Sequence, residues 1–188
     1  MPTILVTPPA AEPVSLADAK AHLRAEHAAE DELIGTLITT ARRHAEVKTG
    51  LAFITQEWLH YRDGWPAESA LPLPLAPLIS IEEVAVFGAD DIKAVLDPAH
   101  YCVDAASRPP RIVMRDARVW PAPGRIANGI SVSATFGFGP GQDDVPEQLR
   151  QAVLLLVAHW YDHRGNANPP PVPLTVAALL APFREARL

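Results

Sequence analysis

The sequence predicts an α+β protein: a helical bundle built from both ends of the chain, with an antiparallel β region inserted between them. Three observations carry this reading. Helix-like apolar patterns stand near both ends, over residues 33–45 and 149–161. Residues 130–136, ISVSATF, alternate apolar and polar without a slip, the signature of a half-buried antiparallel strand. Prolines outnumber glycines 20 to 10 and cluster at 8–13, 66–77 and 169–173, where stiff extended connectors separate packed pieces. The expected parts are N-terminal helices over 1–51, the β insertion over 52–138, a long buried helix within 139–165, and a Pro-rich tether with a terminal helix over 166–188.

The elements follow in order. Ser15 and Asp18 have the form of a capping box, which opens a helix over about 16–27 with Leu16, Ala19 and Leu23 on one face. A second helix starts at the acidic run Glu30-Asp31-Glu32. Leu33, Ile34, Leu37, Ile38, Ala41 and Ala45 repeat along it, and Gly50 suits the left-handed position that stops it. Residues 53–62 are rich in β-branched and aromatic side chains, and proline excludes helix interior over 65–77. Strand-like runs follow at 79–87, 92–96, 101–103, 111–114 and 130–136, punctuated by Asp90-Asp91, Asp97-Pro98 and Pro109-Pro110. Asp143, Asp144 and Pro146 announce a helix to about His163, apolar almost all round and therefore expected to be buried on most sides. A short amphipathic helix is expected over 174–188.

Composition narrows the function. The 188 residues carry 16 Lys+Arg against 22 Asp+Glu, a formal charge of −6. No basic run exists, so the electrostatic footprint of a tight nucleic-acid binder is missing. The single cysteine, Cys102, excludes an internal disulfide framework and a cysteine-built zinc site; buried and inert is its expected state. The N-terminus lacks the pattern of a signal peptide, and the longest apolar run, 152–158, is too short to span a bilayer. These readings predict a soluble protein made in a reducing compartment.

Few motifs suggest chemistry. His159 and His163 stand one helical turn apart with Asp162 between them, close to the H-x-x-E-H pattern of metal hydrolases. A metal-dependent hydrolase using His159 and His163 is therefore the rival reading from another class. No third ligand is evident, and the favoured reading of Asp162, His163 and Arg164 is the polar end of a buried helix. Gly137, Gly139 and Gly141 lie between a strand and a helix, but their spacing fits no phosphate loop and no lysine follows, so a flexible turn is expected. Glu82-Glu83 and Asp90-Asp91 are read as a solvated edge and a turn rather than a catalytic carboxylate pair. We find no catalytic residues, metal or cofactor in the pattern. The terminal residues Leu179, Leu180, Phe183 and Arg184, with Arg187, combine apolar anchors and arginine, the types that dominate binding energy at interfaces. On an extended tether the segment either packs back on the buried helix or docks on a neighbouring chain; the hypothesis carried forward is that it docks on the portal or an adjacent subunit and is mobile in the free protein.

The motifs as an ordered set resemble a known family. The segments are LVTPPAAEPVSLADAKAHLR (5–24), EDELI (30–34), Thr49-Gly50, TQEW (55–58), LAPLIS (75–80), DPAHY (97–101), VPEQLRQAVLLLVAHWY (145–161) and LLAPFR (179–184). Together they resemble the head-tail connector (adaptor) family of long-tailed bacteriophages, which includes the adaptors of gene transfer agents. Where the family often continues with Asn-Arg after His-Trp-Tyr, this chain has Asp162-His163-Arg164. The resemblance implies a structural protein that forms a ring, typically of twelve copies, beneath the portal and joins a DNA-filled capsid to the tail. Implied partners are the portal protein, identical subunits in the ring and the next head-completion or tail protein. DNA passes through the channel without specific binding, and no membrane is involved. The implied location is the neck of a phage or gene transfer agent particle assembled in the bacterial cytoplasm. A neighbouring head-completion or tail-terminator protein is the alternative within particle assembly. The family's pattern carries no catalytic residues.

Overall fold

The computed structural model describes residues 2–67, 70–115, 119–166 and 170–184. The fold is α+β. In chain order the elements are β1 (Thr3–Thr7), α1 (Leu16–Leu23), α2 (Asp31–Thr49), β2 (Gln56–Arg62), β3 (Ala70–Pro72), β4 (Leu78–Phe87) and β5 (Lys93–Val95). These are followed by β6 (Tyr101–Asp104), β7 (Arg111–Met114), β8 (Ile130–Phe136), α3 (Glu147–Asp162) and α4 (Leu174–Leu180). The chain divides into two compact units, one of residues 1–8 and 55–137 and one of residues 9–54 and 138–188. Among the described residues no helix is long and apolar enough to cross a membrane.

The first unit holds two antiparallel sheets, ordered β1-β2-β8-β4-β5 and β3-β7-β6. The alternating segment 130–136 is the middle strand of the larger sheet, paired along its full length with β2 and, through two irregularities, with β4. Ile130, Val132, Ala134 and Phe136 are buried on one face, as the alternation predicts. Its polar face is not simply solvated. Ser131 is buried too, Ser133 donates to Glu57 (3.0 Å), and Thr135 donates to Glu82 (2.7 Å). A strand flanked on both sides brings its polar residues beside cross-strand carboxylates.

Two strands go beyond the sequence reading. β1 pairs with β2 at the sheet's edge, and β3 forms within the proline-bearing stretch, where Leu71 opposes Ile112 and both are buried. Proline excludes helix there but not a short edge strand. His60 on β2 is buried, and its Nδ1 lies 2.8 Å from the Thr3 hydroxyl on β1. Burial, reinforced by the Arg62 charge, pulls the imidazole down to a pKa of about 4. Cys102, expected to be buried, is half-buried on β6 opposite Val113.

The second unit holds the helices. The Ser15 hydroxyl accepts from the Asp18 amide (3.0 Å) and donates to its carboxylate (2.6 Å), so the predicted cap forms. α1 nevertheless ends at Leu23, short of the expected His27. Arg24 turns left-handed (φ 56°), and the Ala25 amide closes onto Lys20 O. Lys20 then pairs with Asp31 at the start of α2 (2.5 Å). α2 buries Ile34, Ile38, Ala41 and Ala45 and stops at Gly50 (φ 71°), whose amide bonds to Glu46 O. α3 packs chiefly against α2 and α4. It buries Leu149, Ala152, Val153, Leu156 and Val157, whereas Leu154 and Leu155 are only half-buried, so the expectation of burial on most sides is corrected to one broad face. The glycine turn before α3 is held rather than flexible. Gly141 donates to Asp144 (2.8 Å), Gly139 bridges Ile54, and a Cβ on Gly139 would sit 2.3 Å from the Asp144 carboxylate.

The last helix also differs from expectation. It ends at Leu180 and continues as a 3₁₀ turn, Ala181–Phe183. Val176 and Leu180, one turn apart, are 1% and 3% exposed, and α4 packs on α3 and touches α2. Leu180 is thus buried inside its own unit, so the helix packs back on α3, the first of the two arrangements the sequence allows. Tether residues 167–169 and terminal residues 185–188, including Arg187, lie outside the described residues.

Two outcomes follow. Leu180→Ala is expected to cost about 2–3 kcal/mol in a urea titration, because a filled site is emptied, while Leu174→Ala, 87% exposed, leaves the midpoint unchanged. For His60, the unfolded imidazole takes its proton near pH 6.5 and the folded one near 4, so stability is full above pH 6.5 and falls as pH drops through that window. Wild type is expected to lose about 2 kcal/mol more than His60→Gln between pH 7 and pH 5, read from urea midpoints. Parallel pH profiles for the two proteins would contradict the assignment.

Candidate functional site

The terminal residues singled out from sequence do not act as one exposed ridge. α4 begins after Pro173 and presents i and i+4 positions to α3, which takes Val176 and Leu180 inward. Leu179 and Phe183 are half-buried, and Arg184 is exposed after the 3₁₀ turn, its amide bonded to Ala181 O (3.2 Å). Around the anchor Leu180, Leu174 and Arg184 are exposed, and Leu179 and Phe183 are half-buried. The reading from sequence missed the part of α2 beside it. His44 and Lys48 line the same cleft as Val176, Leu180 and Arg184. A usable signal was present: Val47, adjacent to Lys48, stands off the apolar stripe of α2 and is 83% exposed.

The end of α3 settles what its histidines do. The rings of His159 and His163 lie 4.8 Å apart. His163 Nδ1 meets His159 O at 2.6 Å, and His159 Nε2 meets Pro170 O at 3.2 Å. A carbonyl only accepts, so each imidazole commits one N–H to the backbone. Asp162 is exposed, and among the described residues no group of three or more His, Cys, Asp or Glu is placed to hold a metal. The geometry lends the hydrolase reading no support.

The neighbouring polar groups serve the packing of α3 on α2. The Tyr161 hydroxyl donates to Glu30, and Arg164 adds a bond to the same carboxylate at 3.0 Å. The bond from Tyr161 and the Arg164 charge hold the Glu30 carboxyl below its ordinary range. Arg164 also lies over the Tyr161 ring and donates to Tyr161 O, closing the helix end. His44 meets Trp160 edge-on at 5.7 Å.

The acidic pairs are similarly occupied. Glu82 accepts from Ser80 and Thr135, and Glu83 pairs with Lys93. Asp91 pairs with Arg125, and Asp90 accepts from the Ile92 amide. These bonds shape strands and turns, and they separate the carboxylates into different local networks.

Two of the comparisons with known proteins point the same way. The family described as phage gp6-like head-tail connector protein matches residues 13–89. None of the curated proteins matches. Among solved structures, a chain from the virion of a native gene transfer agent (GTA) particle superposes with a TM-score of 0.88 at 25% identity, covering 100% of this chain and 97% of that one. A chain from the neck of an empty GTA particle computed with C6 symmetry gives 0.85 at 26% identity with the same coverage. A chain from the neck of a native GTA particle computed with C12 symmetry gives 0.82 at 24%, again with the same coverage, which speaks to the fold alone. With a head-tail connector family matching residues 13–89 and the structural likeness running the length of the chain, the comparisons support a head-tail connector family and a structural connector role.

Proposed function

We propose that this chain is the adaptor subunit of a ring of identical copies, twelve in number, that sits beneath the portal and joins a DNA-filled capsid to the tail. The observation that carries the reading is the whole-chain likeness to proteins of the gene transfer agent neck, where C6 and C12 symmetry describe the assemblies. In this reading the helices from both ends of the chain, α1, α2 and α3, form a bundle, and β1 (Thr3–Thr7) joins the inserted β region rather than the helices, which corrects the expected N-terminal boundary. The subunit works in the neck of a phage or gene transfer agent particle assembled in the bacterial cytoplasm. It makes contacts rather than bonds, and it is not an enzyme.

The C-terminal segment is proposed as the contact with the portal or an adjacent subunit. Arg184 is exposed, Leu179 and Phe183 are half-buried, and Leu180 holds the segment on the subunit's own helices. Apolar anchors next to an arginine suit the centre of such a contact. DNA traverses the channel without specific contacts, because a chain of net charge −6 does not replace the counterions of a duplex.

Two measurements check this. Particles carrying a tagged copy of the subunit are expected to show the tag in a ring at the neck by electron microscopy; density in the capsid wall or the distal tail would overturn the proposal. The purified subunit is expected to show no duplex binding at physiological salt by fluorescence anisotropy. A sub-micromolar affinity that weakens steeply with salt would contradict free passage of DNA.

A further inference from the structure

The helical unit carries a cleft of about 280 Å³ between the C-terminal half of α2 and α4. Its floor is apolar, made by Val172, Val176, Ala177 and Leu180, and Lys48 and Arg184 stand among its lining. Seven cations of the described residues are ion-paired: Lys20, Arg42, Lys93, Arg111, Arg125, Arg150 and Arg164. Lys48 and Arg184 form no ion pair with a carboxylate of the described residues, so two cations share one apolar cleft in an acidic protein. Such a site fits a projecting apolar side chain flanked by a carboxylate.

The chain itself presents that shape. The turn between β4 and β5 carries Ile92, 66% exposed, directly after Asp90 and Asp91. The turn is pre-organised. Gly88 donates to Ile92 O (2.9 Å), Asp91 donates to Gly88 O (3.1 Å), and Asp90 accepts from the Ile92 amide (3.2 Å). Asp91 is already neutralised by Arg125 (2.6 Å), whereas Asp90 pairs with no cation among the described residues. A rigid turn loses little entropy on seating.

A ring of identical subunits closes through heterologous contacts, in which each copy offers two different, complementary surfaces. We propose that the β4–β5 turn of one copy seats in the α2–α4 cleft of the next, Ile92 on the apolar floor and the Asp90 carboxylate between Lys48 and Arg184. The contact rests on the ring reading above, and it assigns the cleft to a second copy rather than to the portal. Charge sets the register: carboxylates on a projecting turn, cations in a cleft, and no like-for-like match between two turns or two clefts.

The test places cysteines on the two surfaces. In a Cys102→Ser background, copies bearing both Ile92→Cys and Ala177→Cys are assembled into particles and oxidised. The expected result is a ladder of covalently linked copies extending to the ring's copy number, with no ladder from either single variant. A ring visible at the neck without a ladder would overturn this contact and leave the ring reading intact. Cross-linking of the Ala177→Cys thiol to a different particle protein would also overturn it, by giving the cleft another occupant. Absence of the subunit from any ring would overturn both. Charge exchange supplies an independent readout: Lys48→Glu is expected to lower incorporation at least tenfold, and adding Asp90→Lys to restore most of it. Both sites are exposed, and thermal melts confirm that each variant folds. Failure of the exchange to rescue folded protein would count against the contact.

Discussion

One charged group on α2 organises the helical unit. Arg42 donates through Nε and Nη2 to Glu12, at 2.7 and 3.3 Å, and through Nη1 to Glu46 at 2.8 Å. The other oxygen of Glu46 accepts the Phe53 amide at 2.9 Å, and Thr39 adds a bond to Glu12. The segment that enters α1, the helix α2 and the segment that leaves it are therefore fastened at one point. Phe53 in turn accepts from the Phe138 amide at 3.2 Å, and Ile54 bridges Gly139, so the chain re-entering before α3 joins the same junction. Burial disfavours the charge on Arg42, yet the bonds to Glu12 and the charge of Glu46 outweigh it and hold the guanidinium above its ordinary pKa. A planar fork with several donors can serve two carboxylates at once, which a lysine cannot.

That junction matters because the chain divides its residues between two units, leaving the helical one after residue 54 and returning at 138. The returning and departing segments are 84 residues apart in sequence, from 54 to 138, and helix propensity alone gives them no reason to meet. Local bonds around Glu46 and Gly139 supply the reason. Gly139 is the residue the position demands, since any Cβ there collides with Asp144. The glycines that looked like a phosphate loop are there for packing.

What could be read from the sequence was local. The cap at Ser15, the stop at Gly50, the stripe Ile34-Ile38-Ala41-Ala45 and the alternation of 130–136 are short-range patterns, and each appears where the pattern puts it. What escaped depends on distant partners. β1 becomes a strand because Thr3 meets His60, 57 residues on. α3 leaves Leu154 and Leu155 half-buried because its neighbours cover one face only. The candidate site was half legible: the residue types at 179–184 mark an interface, but spacing alone did not show that Leu180 faces inward or that Lys48 would join Arg184 across the cleft. The family likeness rested on an ordered set of motifs spread over the chain, which is why it survived where single motifs such as His159 and His163 did not.

The claim that Arg42 fastens three segments at one junction is open to direct measurement by native-state hydrogen exchange in Arg42→Met, which keeps the side-chain stem and removes the charge. The account predicts that the Phe53 and Phe138 amides exchange much faster than in wild type through a shared local opening, while amides in the middle of α2 and α3 keep their protection. Unchanged protection at Phe53 and Phe138, or equal loss across both helices, would contradict it.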